Sequence, residues 1–145
     1  MAQKFGPHVE RLHAVAASPS RRLLAIGGAR DVRAASPAAV PATVHVLAMP
    51  KVKAERALPV PGAAYALCFA GNSNDELLLA GLATGAIVGW DPTVSGETDS
   101  GPATPRLIDL GDAHRGAVRG LACDPTGATL ASVGDDGMLR LWALS

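Results

Sequence analysis

The chain has 145 residues, 48% of them hydrophobic but only 3% aromatic, which allows one modest core built from Ala, Val and Leu. Sixteen Gly and eleven Pro argue for many turns and against long helices. Formal net charge is +0, but residues 1–60 hold nine Lys/Arg against three Asp/Glu (+6) and residues 61–145 hold four against ten (−6), a distribution foreign to a uniform nucleic-acid binder.

The N-terminus, MAQKFGPHVERLH, has no apolar run of the secretory kind. Residues 8–28 then repeat residues 114–134 without a gap. His8 aligns with His114, Leu12 with Val118, Ser18-Pro19 with Asp124-Pro125, and Leu24-Ala25 with Leu130-Ala131. The third strand of this repeat is delayed by an Ala/Pro-rich insert at 32–42 and is expected at 43–47, with an outer strand at 52–58. The middle repeat places strands at 64–69, 77–80 and 87–91, joined by a polar turn at 71–75 and a hairpin at 83–85. A polar linker at 92–104 and an outer strand at 106–110 follow. The uncharged stretch 77–90 is too short for a bilayer and is broken by glycines.

The last repeat, HRGAVRGLACDPTGATLASVGDDGMLRLW, is the segment where every local signal agrees. Val118, Leu121 and Cys123 form one run, and Asp124-Pro125-Thr126-Gly127 is a turn. Leu130 to Val133 form a second run, and Gly134-Asp135-Asp136-Gly137 a tight hairpin. Leu139, Leu141 and Trp142 form a third. Strands this short cannot bury both faces alone, so the unit must stack.

This segment resembles a WD repeat, the four-stranded blade of a β-propeller. The resemblance rests on His114, Ser132, Asp136 and Trp142, and in the middle repeat on Trp90-Asp91. It implies that the four residues form a structural hydrogen-bond relay. It also implies an all-β fold of about three WD-type four-stranded antiparallel blades, a partial β-propeller. The whole of residues 1–145 is then a single module, with blades at approximately 8–58, 63–110 and 114–145. The last blade's outer strand would come from residues 2–5. The relay has lapsed twice: Ile26 and Leu47 replace Ser and Trp in the first repeat, and Ala80 and Thr84 replace Ser and Asp in the second. Propellers close with at least about four blades, so a larger ring or a ring-completing oligomer is expected.

His114, Ser132 and Asp136 are also the residue types of a hydrolase triad. No nucleophile elbow surrounds Ser132, however, and Trp142 completes the relay instead. No metal or cofactor motif is present, and Cys68 and Cys123, far apart in sequence, read as buried free thiols. The expectation is a non-catalytic scaffold or assembly subunit without cofactor. Its partners would be proteins rather than nucleic acid or membrane, within the cytoplasm or another reducing compartment, the nucleus included. Partner contacts are expected on the rim carrying 29–42, 59–62, 82–85, 111–116 and 134–137, with Arg30, Arg33, Val40, His45, Arg115 and Asp135 as candidates. The alternative is an RNA-binding or enzyme-associated module using the basic N-terminal half. Few aromatics are available there to stack on bases.

Overall fold

The computed structural model describes residues 10–18, 23–30, 42–49, 55–71, 77–90 and 109–144. His8, the 2–5 strand, nearly all of the 32–42 insert (Arg33 and Val40 included) and the 92–104 linker lie outside these residues.

The described residues form three antiparallel sheets and no helix. The first contains β1 (Glu10–Ala17), β2 (Leu23–Arg30), β3 (Ala42–Ala48) and β4 (Glu55–Val60), in that order across the sheet. The second contains β5 (Ala64–Ala70), β6 (Leu77–Leu82), β7 (Ala86–Trp90) and β8 (Asp109–Asp112), again in sequence order. The third has β9 (Val118–Cys123), β10 (Thr129–Gly134) and β11 (Leu139–Ala143). Both outer strands run further than the sequence suggests. β4 reaches Val60, and β8 reaches Asp112, because pairing with β3 and β7 continues to Ala42 and Ala86.

The sheets stack through their inner strands, β1 on β5 and β5 on β9. This is the arrangement of successive propeller blades, and the chain is a partial propeller. Two cores result. The first joins sheets one and two through Val44, Val46, Leu58, Val60, Ala64, Leu78, Ala80, Leu82 and Trp90. The second joins sheets two and three through Ala70, Leu79, Ile87, Val118 and Leu130.

The middle sheet is covered on both faces, so β6 reads LLLAGL, a continuous apolar run instead of an alternation. Leu78, Ala80 and Leu82 enter one core and Leu79 the other. In the third sheet only one face is covered. Leu130 and Ser132 are fully buried, while Val133, Leu139 and Leu141 on the other face are 42%, 62% and 69% exposed.

Close approach between sheets depends on one repeated position. A β-carbon at Gly27 in β2 would stand 3.1 Å from the Ala64 β-carbon, and one at Gly81 in β6 would stand 2.8 Å from that of Val118. Ala64 and Val118 each open the inner strand of the next sheet. The equivalent residue of the third sheet is Val133.

Candidate functional site

The hairpin between β10 and β11 brings Asp136 under His114, which sits in the connection entering the third sheet. His114 Nδ1 lies 2.9 Å and 3.1 Å from the two carboxylate oxygens of Asp136. On the other side of the ring, Nε2 lies 2.7 Å from Ser132 Oγ. Trp142 donates its indole N–H to the same oxygen at 2.9 Å.

One proton arrangement satisfies the chain. Trp142 donates to Ser132, the Ser132 hydroxyl donates to Nε2, and Nδ1–H donates to Asp136. All donors point the same way, so each bond polarises the next. Asp136 also accepts the backbone N–H groups of Arg115 at 3.1 Å and Met138 at 3.1 Å. Ser132 is 0% exposed, and its oxygen is occupied on both sides. A substrate carbonyl has no approach to it, and the geometry is that of a relay holding strands together.

The second repeat retains only the turn half of this device. Thr84, at the Asp136 position, accepts the N–H of Ala86 through its hydroxyl at 3.4 Å, as Asp136 accepts that of Met138. Ala80 and Val60 hold the Ser132 and His114 positions and pack in the first core. Apolar burial replaces the polar chain.

The His114 ring N–H holds the Asp136 carboxyl down to about 2, against an ordinary 3.8, with help from the Met138 and Arg115 N–H groups. The charged form is therefore favoured by folding. Its contribution is fully present above pH ~3.8 and is lost as pH falls from there toward 2. The melting temperature of the wild type should fall more steeply between pH 4 and pH 2 than that of Asp136→Asn, whose amide does not titrate. Asp124 and Asp135 are also held low, so the informative quantity is the difference between the two curves. Parallel curves would remove the carboxylate from the relay.

A second constellation lies on the inner strands. Each of the three sheets carries a β-bulge near the start of its inner strand, between Leu12 and Ala14, between Ala64 and Ala66, and where Gly134 pairs with Val118 after Val133 pairs with Gly120. The residues displaced by these bulges are His13, Tyr65 and Arg119. A bulge leaves its residue out of the ladder and re-aims the side chain. The three side chains meet. His13 stands edge-on to Tyr65, with ring centroids 5.2 Å apart and planes at 73°. The Arg119 guanidinium lies 4.7 Å from the Tyr65 centroid, a cation–π distance. Arg119 is held flat by two bonds to Asp135, Nε to Oδ1 at 2.8 Å and Nη2 to Oδ2 at 3.0 Å.

Of the residues expected on the rim, Asp135 is exposed and orients Arg119. Arg115 is exposed beside it. His45, another candidate contact, lies within the 43–47 strand expected from the sequence. It stands mid-strand in β3, opposite Ile26 and Ala57, with both ring nitrogens shielded from solvent. Arg30 ends β2, and its side chain lies outside the described residues. Among the described residues, the 82–85 hairpin meets the 111–116 segment, where the Gly85 carbonyl accepts the His114 N–H at 3.1 Å, and within the third sheet the Ala117 carbonyl accepts the Asp135 N–H at 2.9 Å. His13, Tyr65 and Arg119 escape a reading of the sequence alone. They share one aligned position, but a bulge is visible only in the register. Among the described residues, no helix is long and apolar enough to cross a membrane.

Three stacked antiparallel sheets, the last closed by a His-Ser-Asp-Trp relay, define a partial propeller of WD-type blades. Residues 106–143 match the family model described as WD domain, G-beta repeat. A 31-residue stretch, 21% of the chain, is 68% identical to the ribosome biogenesis protein ERB1 of Coccidioides immitis and 61% identical to its namesake in Aspergillus niger. These stretches cover 4% of either relative. The fold is similar to the crystal structure of Chaetomium thermophilum Sqt1, with a TM-score of 0.65, 25% identity, and coverage of 92% of this chain and 30% of that one. The chain thus spans a small part of the proteins it resembles.

Proposed function

We propose that the chain is a non-catalytic protein-interaction scaffold, and that its partners are proteins of ribosome assembly. The observation that carries this reading is the His13–Tyr65–Arg119 ladder. Three side chains from three sheets, each turned out of its strand by a bulge, form one surface. Tyr and Arg are the residue types that dominate binding energy at protein interfaces. Arg119 is already fixed by Asp135 and Tyr65, so docking onto it loses little side-chain entropy. Arg115, Arg30, Arg33 and Val40 are proposed as further contacts on this rim.

The assignment to ribosome assembly rests on the partial relatives, which are ribosome biogenesis proteins. They give no support to the cytoplasmic expectation, and a site of ribosome assembly, nuclear or otherwise, replaces it in the proposal. Further blades, from a longer chain, a second copy or another protein, would complete the ring.

The test is affinity enrichment from cell lysate, comparing wild type with Tyr65→Ala/Arg119→Glu. Ribosome-assembly proteins should be enriched by the wild type and reduced about tenfold or more by the double variant, with an unchanged circular dichroism spectrum. Equal recovery by both would move the interface off the ladder. Capture of RNA alone, weakening steeply with salt, would favour the nucleic-acid alternative.

A further inference from the structure

The inner strands β5 and β9 are not hydrogen-bonded to each other; side chains alone join them. Among those side chains are Cys68 and Cys123, with their sulfurs 3.3 Å apart. Both are free thiols, and both are partly accessible. They lie 55 residues apart in the chain, on different sheets, so no local spacing announces them. We propose that Cys68 and Cys123 are a redox modification site, oxidised by a hydroperoxide to a disulfide that staples the second sheet to the third.

Geometry supplies most of the case. A disulfide needs sulfurs at 2.03–2.05 Å, so the two must approach by only about 1 Å. The surroundings are apolar, from Leu79, Val118 and Leu130, and the pair is open enough for a small oxidant to reach. The two thiols are unequal. Either sulfur can donate to the other; with Cys68 as the donor, the bond raises the Cys68 pKa and lowers that of Cys123. Cys123 is therefore the nucleophile, since the thiolate is the reactive form.

The chemistry balances. Cys123 thiolate attacks one peroxide oxygen, forming S–O and breaking O–O. Hydroxide leaves and takes up a proton as water. Cys68 sulfur then attacks the sulfenic Cys123 sulfur, S–S forms, S–O breaks, and the Cys68 proton departs with the oxygen as a second water. Two thiols are oxidised and one peroxide is reduced.

The test uses the full chain treated with stoichiometric hydrogen peroxide. Intact mass should fall by about 2 Da, and non-reduced tryptic mapping should join the peptide of Cys68 to that of Cys123 within one chain. Dithiothreitol should reverse both changes. The closed loop takes in most of the second sheet and the inner strand of the third, so the melting temperature of the oxidised protein should rise by about 5–10 °C. Cys68→Ser should give a sulfenic adduct on Cys123 and no loss of mass. Mass gains confined to single cysteines in the wild type, disulfides only between chains, or no reaction at all would each overturn the proposal. Because the main readout is on the wild type, a variant that folds poorly leaves that readout intact.

Discussion

Ser132→Ala is expected to lower the unfolding free energy by about 2–4 kcal/mol, measured by urea denaturation. The hydroxyl is the hub of the relay. Removing it leaves the Trp142 indole N–H and His114 Nε2 without the partner they share at 2.9 Å and 2.7 Å. Each orphaned buried polar group costs about 1–3 kcal/mol. Trp142→Phe removes a donor together with its need, and should cost less than this on the hydrogen-bond side. From sequence alone the order is the reverse, because a serine hydroxyl is a small loss and a tryptophan a large one. The geometry inverts it by showing two bonds on one oxygen. A Ser132→Ala protein within about 0.5 kcal/mol of wild type would show that water satisfies both groups.

Gly85→Ala should be costlier still, about 3–5 kcal/mol. The backbone there has φ of +91°, a conformation that residues with a β-carbon rarely adopt. A β-carbon would also run into the His114 carbonyl oxygen and lie 2.9 Å from that of Gly116. These are backbone atoms and cannot rotate away. Gly137 is the control. It holds the equivalent hairpin position in the third sheet at φ of +75°, and nothing lies within 4 Å of where a β-carbon would stand. Gly137→Ala should cost only about 1 kcal/mol. Thermal or urea unfolding of the two variants side by side separates the conformational part from the collision. Equal costs would mean that the neighbouring sheet yields.

The strands and their order were legible because apolar period, turn residues and the repeat alignment agree across 114–134 and 8–28. The relay's members were legible because four residue types recur at fixed spacing. The ladder was not. His13, Tyr65 and Arg119 look like ordinary strand residues, and only a slip in register turns them out together. The cysteine pair was hidden for a different reason. Its proximity is a product of sheet stacking, which places β5 on β9 across 55 residues of chain. His45, a candidate contact, stays in the strand the sequence assigns it, Ala42–Ala48, on the face opposite the core residues Val44 and Val46.

The bond from the His114 N–H to the Gly85 carbonyl changes how the relay enters the energetics of the array. In a linear chain of stacked units, total stability divides into a part intrinsic to each unit and a part for each junction. A relay confined to one unit would raise only the intrinsic part. Here its histidine is anchored in the hairpin of the preceding unit, so part of its effect belongs to the junction. Junction strength sets whether neighbours open together or singly. Amides of the 82–85 hairpin should therefore exchange with solvent at rates that follow those of the third sheet, and loosening Ser132 should unprotect a loop on a sheet it never touches.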